Sequence, residues 1–335
     1  MLTKRESVSK FLNYTGILNR VSYHSRIANK NWLTILAYHR VADYDPGAAF
    51  DLDEALISAI PINFESQVKW LKQNFSIISF DSLQDCKNIV NPLIITFDDG
   101  YKDNYKNAYP ILKKYHVPAT IFLSTGYIGT SKLFWWDEIA YLMKKTEKSK
   151  MDIDSTFYPL DTAEDRKRSI CLILALAKRV SDADRKNIIM QLKDKLEVEP
   201  DKSQVADIIL NWDEIKEMGK NNIEFGAHTV NHPVLANVSS QEVRYEIEES
   251  KKSIETKINK EVIVFSYPVG GNASFDAGAE NILKEAGYRY AVTYIHGKNR
   301  LPDLKSFFLN RIHVEKEDIP TVFKSKVTFP DLIKY

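Results

Sequence analysis

Two groups of ionisable side chains, far apart in the chain, have the types and spacing that suit a hydrolytic metal site. Asp98 and Asp99 are adjacent and directly follow a largely apolar run. His228 and His232 stand at positions i and i+4, and they can converge on one cation if the segment turns or is helical. One carboxylate and two imidazoles form a ligand set that leaves positions open for water and substrate, as in catalytic zinc sites.

The adjacent aspartates are predicted to have different roles. Successive side chains of an extended strand point to opposite sides, so Asp98 and Asp99 are expected to point in different directions. Asp99 would bind the metal with His228 and His232, and Asp98 would stay free as a general base. Each motif alone is a weak signal, since paired carboxylates at a strand end usually form a cap or turn. Their joint occurrence at predicted strand ends favours a metal site.

An alternation of strands and helices must bring these residues together. It indicates a parallel sheet with helices outside, and the number of units and the polar strand ends favour a closed barrel. The predicted strands are 32–38, 77–80, 92–95, 119–123, 223–227, 262–265, 290–294 and 307–309. The predicted helices are 63–75, 103–115 with a break at Pro110, 212–220, one opened by Ser239, and 281–286.

The strand–helix alternation is interrupted between Asp137 and about Leu210. This stretch is densely charged, its strongest helical periods lie at 169–179 and 186–196, and no strand is predicted in it. The chain is therefore predicted to have a helical extension at 1–31 and a barrel domain at 32–335, interrupted by a helical insertion at about 138–210. A lid or partner surface is one interpretation of the insertion, and ordinary packing is the other.

The composition is that of an ordinary globular protein. The chain has 335 residues, of which 44% are hydrophobic and 27% charged. Its 46 basic and 45 acidic residues leave a net charge of +1, which gives no electrostatic footprint for nucleic acid. Cys86 and Cys171 have no metal-type spacing, and two cysteines exclude a disulfide framework.

The N-terminal segment places apolar residues on one side of a predicted helix. Such a helix either docks on the domain or anchors the chain at a membrane surface. The segment lacks the unbroken apolar stretch of a secretory signal, and no run approaches the roughly 18 apolar residues of a membrane span. We therefore expect a cytoplasmic protein, with peripheral contact at the inner face of the membrane as an alternative. The residues on this face are Val8, Phe11, Leu12, Thr15, Leu18 and Val21.

Five short segments occur in order along the chain. They are LAYHR from Leu36, TFDDGY from Thr96 followed by Asn104, FWWDE from Phe134, GAHTVNHPVL from Gly226 and FSYPVGG from Phe265. Over about 33–314 the chain resembles the NodB-type polysaccharide deacetylases, carbohydrate esterase family 4, in the branch that acts in exopolysaccharide or surface-glycan synthesis. The resemblance implies a distorted (β/α) barrel of about seven parallel strands, with the active site at their carboxyl ends. It also implies divalent-metal-dependent removal of acetyl groups from N-acetylated sugars.

The resemblance extends to the residues around the base. A turn from Tyr267 to Gly270, shaped by Pro268, would supply a backbone N–H to the developing oxyanion. Many family members have an arginine two residues before the motif proline, where this chain has Ser266. Arg311 is expected to replace that guanidinium by a bidentate contact with Asp98.

The general acid and the sugar contacts are less closely defined by the motifs. His313 is the candidate acid by its position in the last predicted strand, and His39, at the end of the first, is its rival. Trp135 and Trp136 either stack on a sugar or pack in the core or rim.

The sequence therefore predicts a metal-dependent deacetylase that acts on N-acetylhexosamine in a polysaccharide, an oligosaccharide or a lipid-linked glycan. Asp-His-His sites accept zinc, cobalt or nickel, and zinc is expected first. One alternative is a glycan-binding protein that kept the barrel without turnover. The other is an amidohydrolase of a small non-sugar amide.

Overall fold

Thirteen strands and ten α-helices lie within residues 4–15, 31–44, 52–201, 205 and 207–331, which the computed structural model describes. The strands are β1 Trp32–Tyr38, β2 Arg40–Val41, β3 Ile57–Ala59, β4 Ser76–Ile77, β5 Pro92–Phe97, β6 Ala119–Leu123, β7 Lys150–Ile153, β8 Thr156–Pro159, β9 Ile223–Ala227, β10 Val264–Ser266, β11 Tyr290–His296, β12 Asn299–Arg300 and β13 Leu309–His313. The helices are α1 Lys4–Tyr14, α2 Pro61–Asn74, α3 Tyr109–Tyr115, α4 Trp135–Lys145, α5 Ala163–Ala177, α6 Asp182–Leu196, α7 Trp212–Gly219, α8 Ser240–Ile258, α9 Ala277–Glu285 and α10 Pro320–Thr328.

Seven parallel strands close into a barrel, in the order β1-β13-β11-β10-β9-β6-β5, and β5 returns to pair with β1. The closing pair is regular, with Thr34 opposite Leu93 and Tyr38 opposite Phe97. The β9–β10 pair is short, and the register shifts between β11 and β13, so the barrel is distorted. The predicted barrel of about seven parallel strands is confirmed.

The barrel strands are largely apolar because both of their faces are buried. On β1, Leu33 and Ile35 belong to the cluster that contains Phe122 of β6. Leu36 and Tyr38, in contrast, belong to a larger cluster that contains Phe64 of α2. Apolar residues therefore fill both sides of the strands, and the polar residues of the site are left at the carboxyl ends.

The helix predicted over 103–115 consists of two segments. A π-helical turn, Asn104–Ala108, leads directly into α3. Pro110 lies in the first turn of α3, where the missing N–H of proline costs no hydrogen bond.

The insertion contains a β-hairpin that the sequence does not predict. Strands β7 and β8 pair antiparallel, and Asp154 and Ser155 form the turn with φ of 47° and 63°. Positive φ at both central residues is typical of tight hairpin turns, but these turns usually carry glycine. The expectation of no strand in 138–210 was wrong because an Asp-Ser turn between two strands of four residues gives little hairpin signal.

The N-terminal helix α1 packs against the last helix, α10. Leu12 is buried there, and Arg5 forms an ion pair with Glu315 at 3.4 Å. Phe11 and Tyr14 are 62% and 93% exposed. Leu18 and Val21, which complete the predicted apolar face, and the side chain of Cys86 lie outside the described residues. Within the described ranges, no helix has the length and apolar character needed to cross a bilayer, and contact with a membrane surface stays a prediction.

Candidate active site

A cavity of about 230 Å³ opens at the carboxyl ends of the barrel strands. Parallel strands bring their carboxyl ends to one edge, so residues distant in sequence meet there. Pro268, Gly270 and His313 are absent from the described lining of this cavity. The predicted site residues that do line it are His39, Asp98, Asp99, Trp135, Trp136, His228, His232, Tyr267 and Arg311.

The turn after β5 separates the two aspartates. Asp99 and Gly100 have φ of 75° and 88°, a conformation that is strained for a side-chain-bearing residue and free for glycine. The Asp98 N–H donates to the Tyr38 carbonyl at 3.0 Å, which anchors the start of the turn on β1. The Asp98 carboxylate consequently meets Arg311, whereas that of Asp99 faces the two histidines.

Asp99, His228 and His232 form a compact, buried group of potential metal ligands. Asp99 Oδ1 lies 3.5 Å from Nε2 of each histidine, and the two Nε2 atoms are 3.1 Å apart. One ligand atom from each residue falls within 4.8 Å of the others. Such close lone pairs repel each other unless a proton or a cation lies between them.

The hydrogen bonds around this group also fit a metal. His228 Nδ1 lies 2.7 Å from the Ser266 carbonyl oxygen, which can only accept, so the proton is on Nδ1 and Nε2 keeps its lone pair. Burial holds the pKa of His232 well below its ordinary value, which favours the neutral imidazole that ligates metals. Asp99 Oδ2 is buried and has no hydrogen-bond partner among the described residues. This donor set suits a divalent cation such as zinc.

Glu246 of α8 holds the loop that carries the two histidines. Its carboxylate accepts the N–H groups of Val230 and Asn231 at 2.7 and 2.8 Å, and the Asn231 side-chain amide at 2.8 Å. Thr229 and His232 have φ of 66° and 53°, so these bonds stabilise a strained loop. Glu246 belongs to none of the motifs in the sequence, although a charged residue on the buried face of a helix is a recognisable signal.

Arg311 clamps the proposed base, Asp98. Its Nη1 and Nη2 atoms donate to Asp98 Oδ1 and Oδ2 at 2.8 and 2.7 Å, in a bidentate pair. The guanidinium is fully buried, and its Nε donates to the Thr293 carbonyl at 2.7 Å. Burial alone would raise the pKa of Asp98, but the charge and hydrogen bonds of Arg311 outweigh burial and hold that pKa below its ordinary value. Asp98 is therefore an ionised, oriented carboxylate.

The two histidines considered as general acids have different surroundings. His39 is half-buried, lines the cavity, and its Nε2 is 3.9 Å from Asp98 Oδ2. His313 instead stacks flat on Tyr294, with ring centroids 3.5 Å apart. Burial and the nearby charge of Arg311 lower the pKa of His313 to about 2, and burial lowers the pKa of His39 from its ordinary value as well. Tyr294 lines the cavity, and His313 lies behind it, outside the described lining. The geometry therefore favours His39 as the general acid.

The turn after β10 leaves one N–H free for an oxyanion. The Tyr267 N–H donates to the Val292 carbonyl at 3.1 Å, and the Gly270 N–H donates to the Pro268 carbonyl at 2.6 Å. Proline has no N–H, so Val269, which lines the cavity, keeps the remaining donor, and it makes no hydrogen bond within the described chain. Gly270 is required because a Cβ there would lie 2.5 Å from the Tyr294 nitrogen.

Trp136 packs against His232 of the ligand group, and Trp135 packs against Trp136. Trp135 and Trp136 are 5% and 6% exposed, and the Trp136 ring centroid is 4.5 Å from that of His232. Trp136 Nε1 donates to the Tyr101 hydroxyl at 2.8 Å, and Tyr101 donates to Asp137 at 2.7 Å. Both indoles touch the cavity, but their low exposure favours packing over broad stacking on a sugar.

Known proteins resemble this chain in sequence and in fold. A family model described as polysaccharide deacetylase matches residues 87–291. The poly-beta-1,6-N-acetyl-D-glucosamine N-deacetylase of Staphylococcus epidermidis is 29% identical over 59% of this chain and 72% of its own length. The Bacillus subtilis protein YxkH is 25% identical over 69% of this chain, and the match spans 56% of YxkH. The Streptococcus pyogenes deacetylase PplD, solved with acetate, has 21% identity and a TM-score of 0.56, with coverage of 86% of this chain and 95% of its own.

Proposed function

Because the chain belongs to the polysaccharide deacetylase family, we propose that it hydrolyses the N-acetyl group of an N-acetylhexosamine within a glycan. The substrate would be a polysaccharide, an oligosaccharide or a lipid-linked glycan. The named activity of the Staphylococcus epidermidis relative supports a polymer of N-acetylglucosamine as the first choice.

One observation carries this proposal. An ionised carboxylate, Asp98, lies beside a separate three-residue ligand group in a single cavity, and Arg311 holds it in place. A protein that only binds glycans gains nothing from a buried carboxylate that is free of the metal, because burying a charge costs free energy. A general base beside a Lewis acid is what amide hydrolysis requires.

Each residue of the site has a separate role in the proposed reaction. Asp99, His228 and His232 would hold a divalent cation, most simply zinc, which polarises a carbonyl and lowers the pKa of water. Asp98 accepts the proton of the attacking water, and Arg311 keeps its carboxylate ionised and oriented. The Val269 N–H donates to the oxyanion. His39 protonates the leaving amine, so that acetate and a free amino sugar are released.

The test is acetate release from N-acetylglucosamine oligomers and lipid-linked N-acetyl sugars, on chelated protein with and without added zinc, cobalt or nickel. Metal-dependent release is expected. Asp98→Asn should keep metal binding in calorimetry and lose about 100-fold or more of turnover, whereas His228→Ala should lose both. Near-full activity of Asp98→Asn would reject Asp98 as the base. Release of acetate from small non-sugar amides alone would indicate an amidohydrolase instead.

A further inference from the structure

The insertion contributes one wall of the cavity. Leu174 and Lys178, at the carboxyl end of α5, line the cavity together with Asp53 and Leu56 from the loop before β3. Leu174 and Lys178 stand at positions i and i+4, so they lie on the same face of the helix. Leu174 is buried, and Lys178 is exposed at the mouth. Neither residue belongs to the ligand group or to the proposed proton-transfer machinery.

The end of α5 is attached to the loop that follows the metal-ligand histidines. The Asn237 side-chain amide donates to the carbonyl oxygens of Lys178 and Val180 at 3.2 and 2.9 Å. Further back, the Ser169 hydroxyl donates to the Pro159 carbonyl at 2.8 Å, which joins α5 to the hairpin. The position of Lys178 relative to the site is therefore set by hydrogen bonds to ordered backbone.

Among the residues that the structure describes, Lys178 is a cation without an ion pair. Lys167, on the same helix, pairs with Glu54 at 3.4 Å, but Lys178 makes no ion pair or side-chain hydrogen bond with any residue that the structure describes. In contrast, two other charged groups of the cavity, Asp98 and Arg311, form an ion pair with each other. Burial raises the pKa of Asp53, and the charge of Lys178 opposes that rise, so the two groups share an electrostatic environment.

We propose that Lys178 binds an anionic group, a carboxylate or a phosphate, on the sugar that adjoins the N-acetylhexosamine being processed. The proposal rests on the proposed function and changes its preferred substrate: a plain polymer of N-acetylglucosamine carries no anionic group, so the substrate would be a glycan in which an acidic sugar adjoins the N-acetylhexosamine. The reaction centre at Asp98 and Asp99 is buried, whereas Lys178 is exposed at the mouth, so it meets a neighbouring part of the glycan. An ammonium group offers three donors on a flexible stem and recognises either anion as a point charge. Leu174 supplies an apolar surface beside it.

The test compares ligands that differ in one group. The full-length chain is titrated by calorimetry with N-acetylglucosamine linked to glucose, to glucuronic acid or to glucose 6-phosphate. At least one anionic ligand is expected to bind about fivefold or more tightly than the neutral one, with a preference that shrinks as salt is added. The tighter of the two anionic ligands identifies the group as carboxylate or phosphate. Equal binding of all three would overturn the proposal.

Two variants test whether Lys178 causes the preference for the anionic ligand. Lys178→Met should abolish it, and Lys178→Glu should reverse it. Arg179→Met is the matched control, because Arg179 is the next residue, carries the same charge and is outside the described cavity lining. A preference that survives in Lys178→Met, or that disappears equally in Arg179→Met, contradicts a local contact. If Lys178 only balances Asp53, Lys178→Met will change the binding of all three ligands alike.

Acetate is measured in the same samples, with metal added. An absence of acetate counts against the proposed deacetylase activity, while the binding preference still tests Lys178. If acetate is released, the anionic ligand should have the lower KM and a similar kcat in the wild type, because Lys178 contacts the glycan away from the reacting bond.

Discussion

Arg311 and Asp98 are 213 residues apart in the chain, and both oxygens of the aspartate accept hydrogen bonds from the arginine, at 2.8 and 2.7 Å. The pair joins β13 to the end of β5 inside the cavity. Ser266, at the position where the family often has arginine, accepts a bond from the same guanidinium at 3.1 Å. The guanidinium thus reaches the base from a different strand.

Removing Arg311 should affect both stability and turnover. Arg311→Met leaves a buried carboxylate without its partner, and we expect a loss of about 3–5 kcal/mol in the free energy of unfolding. Turnover should fall as well, because Asp98 loses its orientation. Denaturant unfolding and acetate release provide the two measurements. Arg289→Met is the control, since Arg289 forms an exposed pair with Glu261 that contributes about 0–1 kcal/mol. Comparable losses in both variants would contradict the proposed clamp.

Assigning the general acid to His39 or to His313 leads to different predictions for the two variants. His39→Gln should lower kcat about 100-fold or more, because His39 lines the cavity beside Asp98. His313→Gln should leave kcat within the same order of magnitude, since His313 stacks on Tyr294 outside the described lining. Steady-state acetate release on the metal-loaded variants distinguishes them, with thermal unfolding as a check of folding. The reverse ranking would assign the acid to His313.

Glu246 should control metal affinity without touching the metal. Glu246→Gln weakens the bonds to the Val230 and Asn231 N–H groups that hold the histidine loop. We expect metal affinity to fall about 10- to 100-fold by calorimetry. Glu248→Gln is the matched control, because Glu248 lies on the same helix and pairs with Arg244 in solvent. Unchanged metal affinity in Glu246→Gln would show that the loop holds its shape without this carboxylate.

Asp137 should make stability fall as the pH rises. Burial raises its pKa to about 7, so between about pH 4 and pH 7 the unfolded chain has released this proton and the folded chain has kept it. The unfolded state then binds fewer protons, and this group lowers the free energy of unfolding by about 1.4 kcal/mol per pH unit at most. Denaturant unfolding from pH 5 to pH 8 should show a shallower slope in Asp137→Asn. The exposed Asp194→Asn is the control, and identical slopes in both variants would refute the assignment.

Local patterns in the sequence were enough to predict much of the fold. The barrel strands are largely apolar because both of their faces are buried, and the Asp98-Asp99 pair and His228 each follow such a strand directly. The β7–β8 hairpin was missed because its Asp-Ser turn lacks the usual glycine. Helix α10 was not predicted either, although it packs against α1.

Within the site, the sequence determined the residue types and the strand ends that carry them. Tertiary structure decided which of them meet, because side-chain partners depend on how neighbouring strands align. Tyr294 of β11 stacks on His313, and His39 lines the cavity while His313 is outside the described lining. Nothing near His313 in the sequence indicates this stacking. In the same way, Asn237 attaches the end of α5 beside the site and thereby places Lys178 at its mouth. Contacts between residues so far apart in the sequence depend on the closed barrel and its packed helices, which burial of the whole core stabilises.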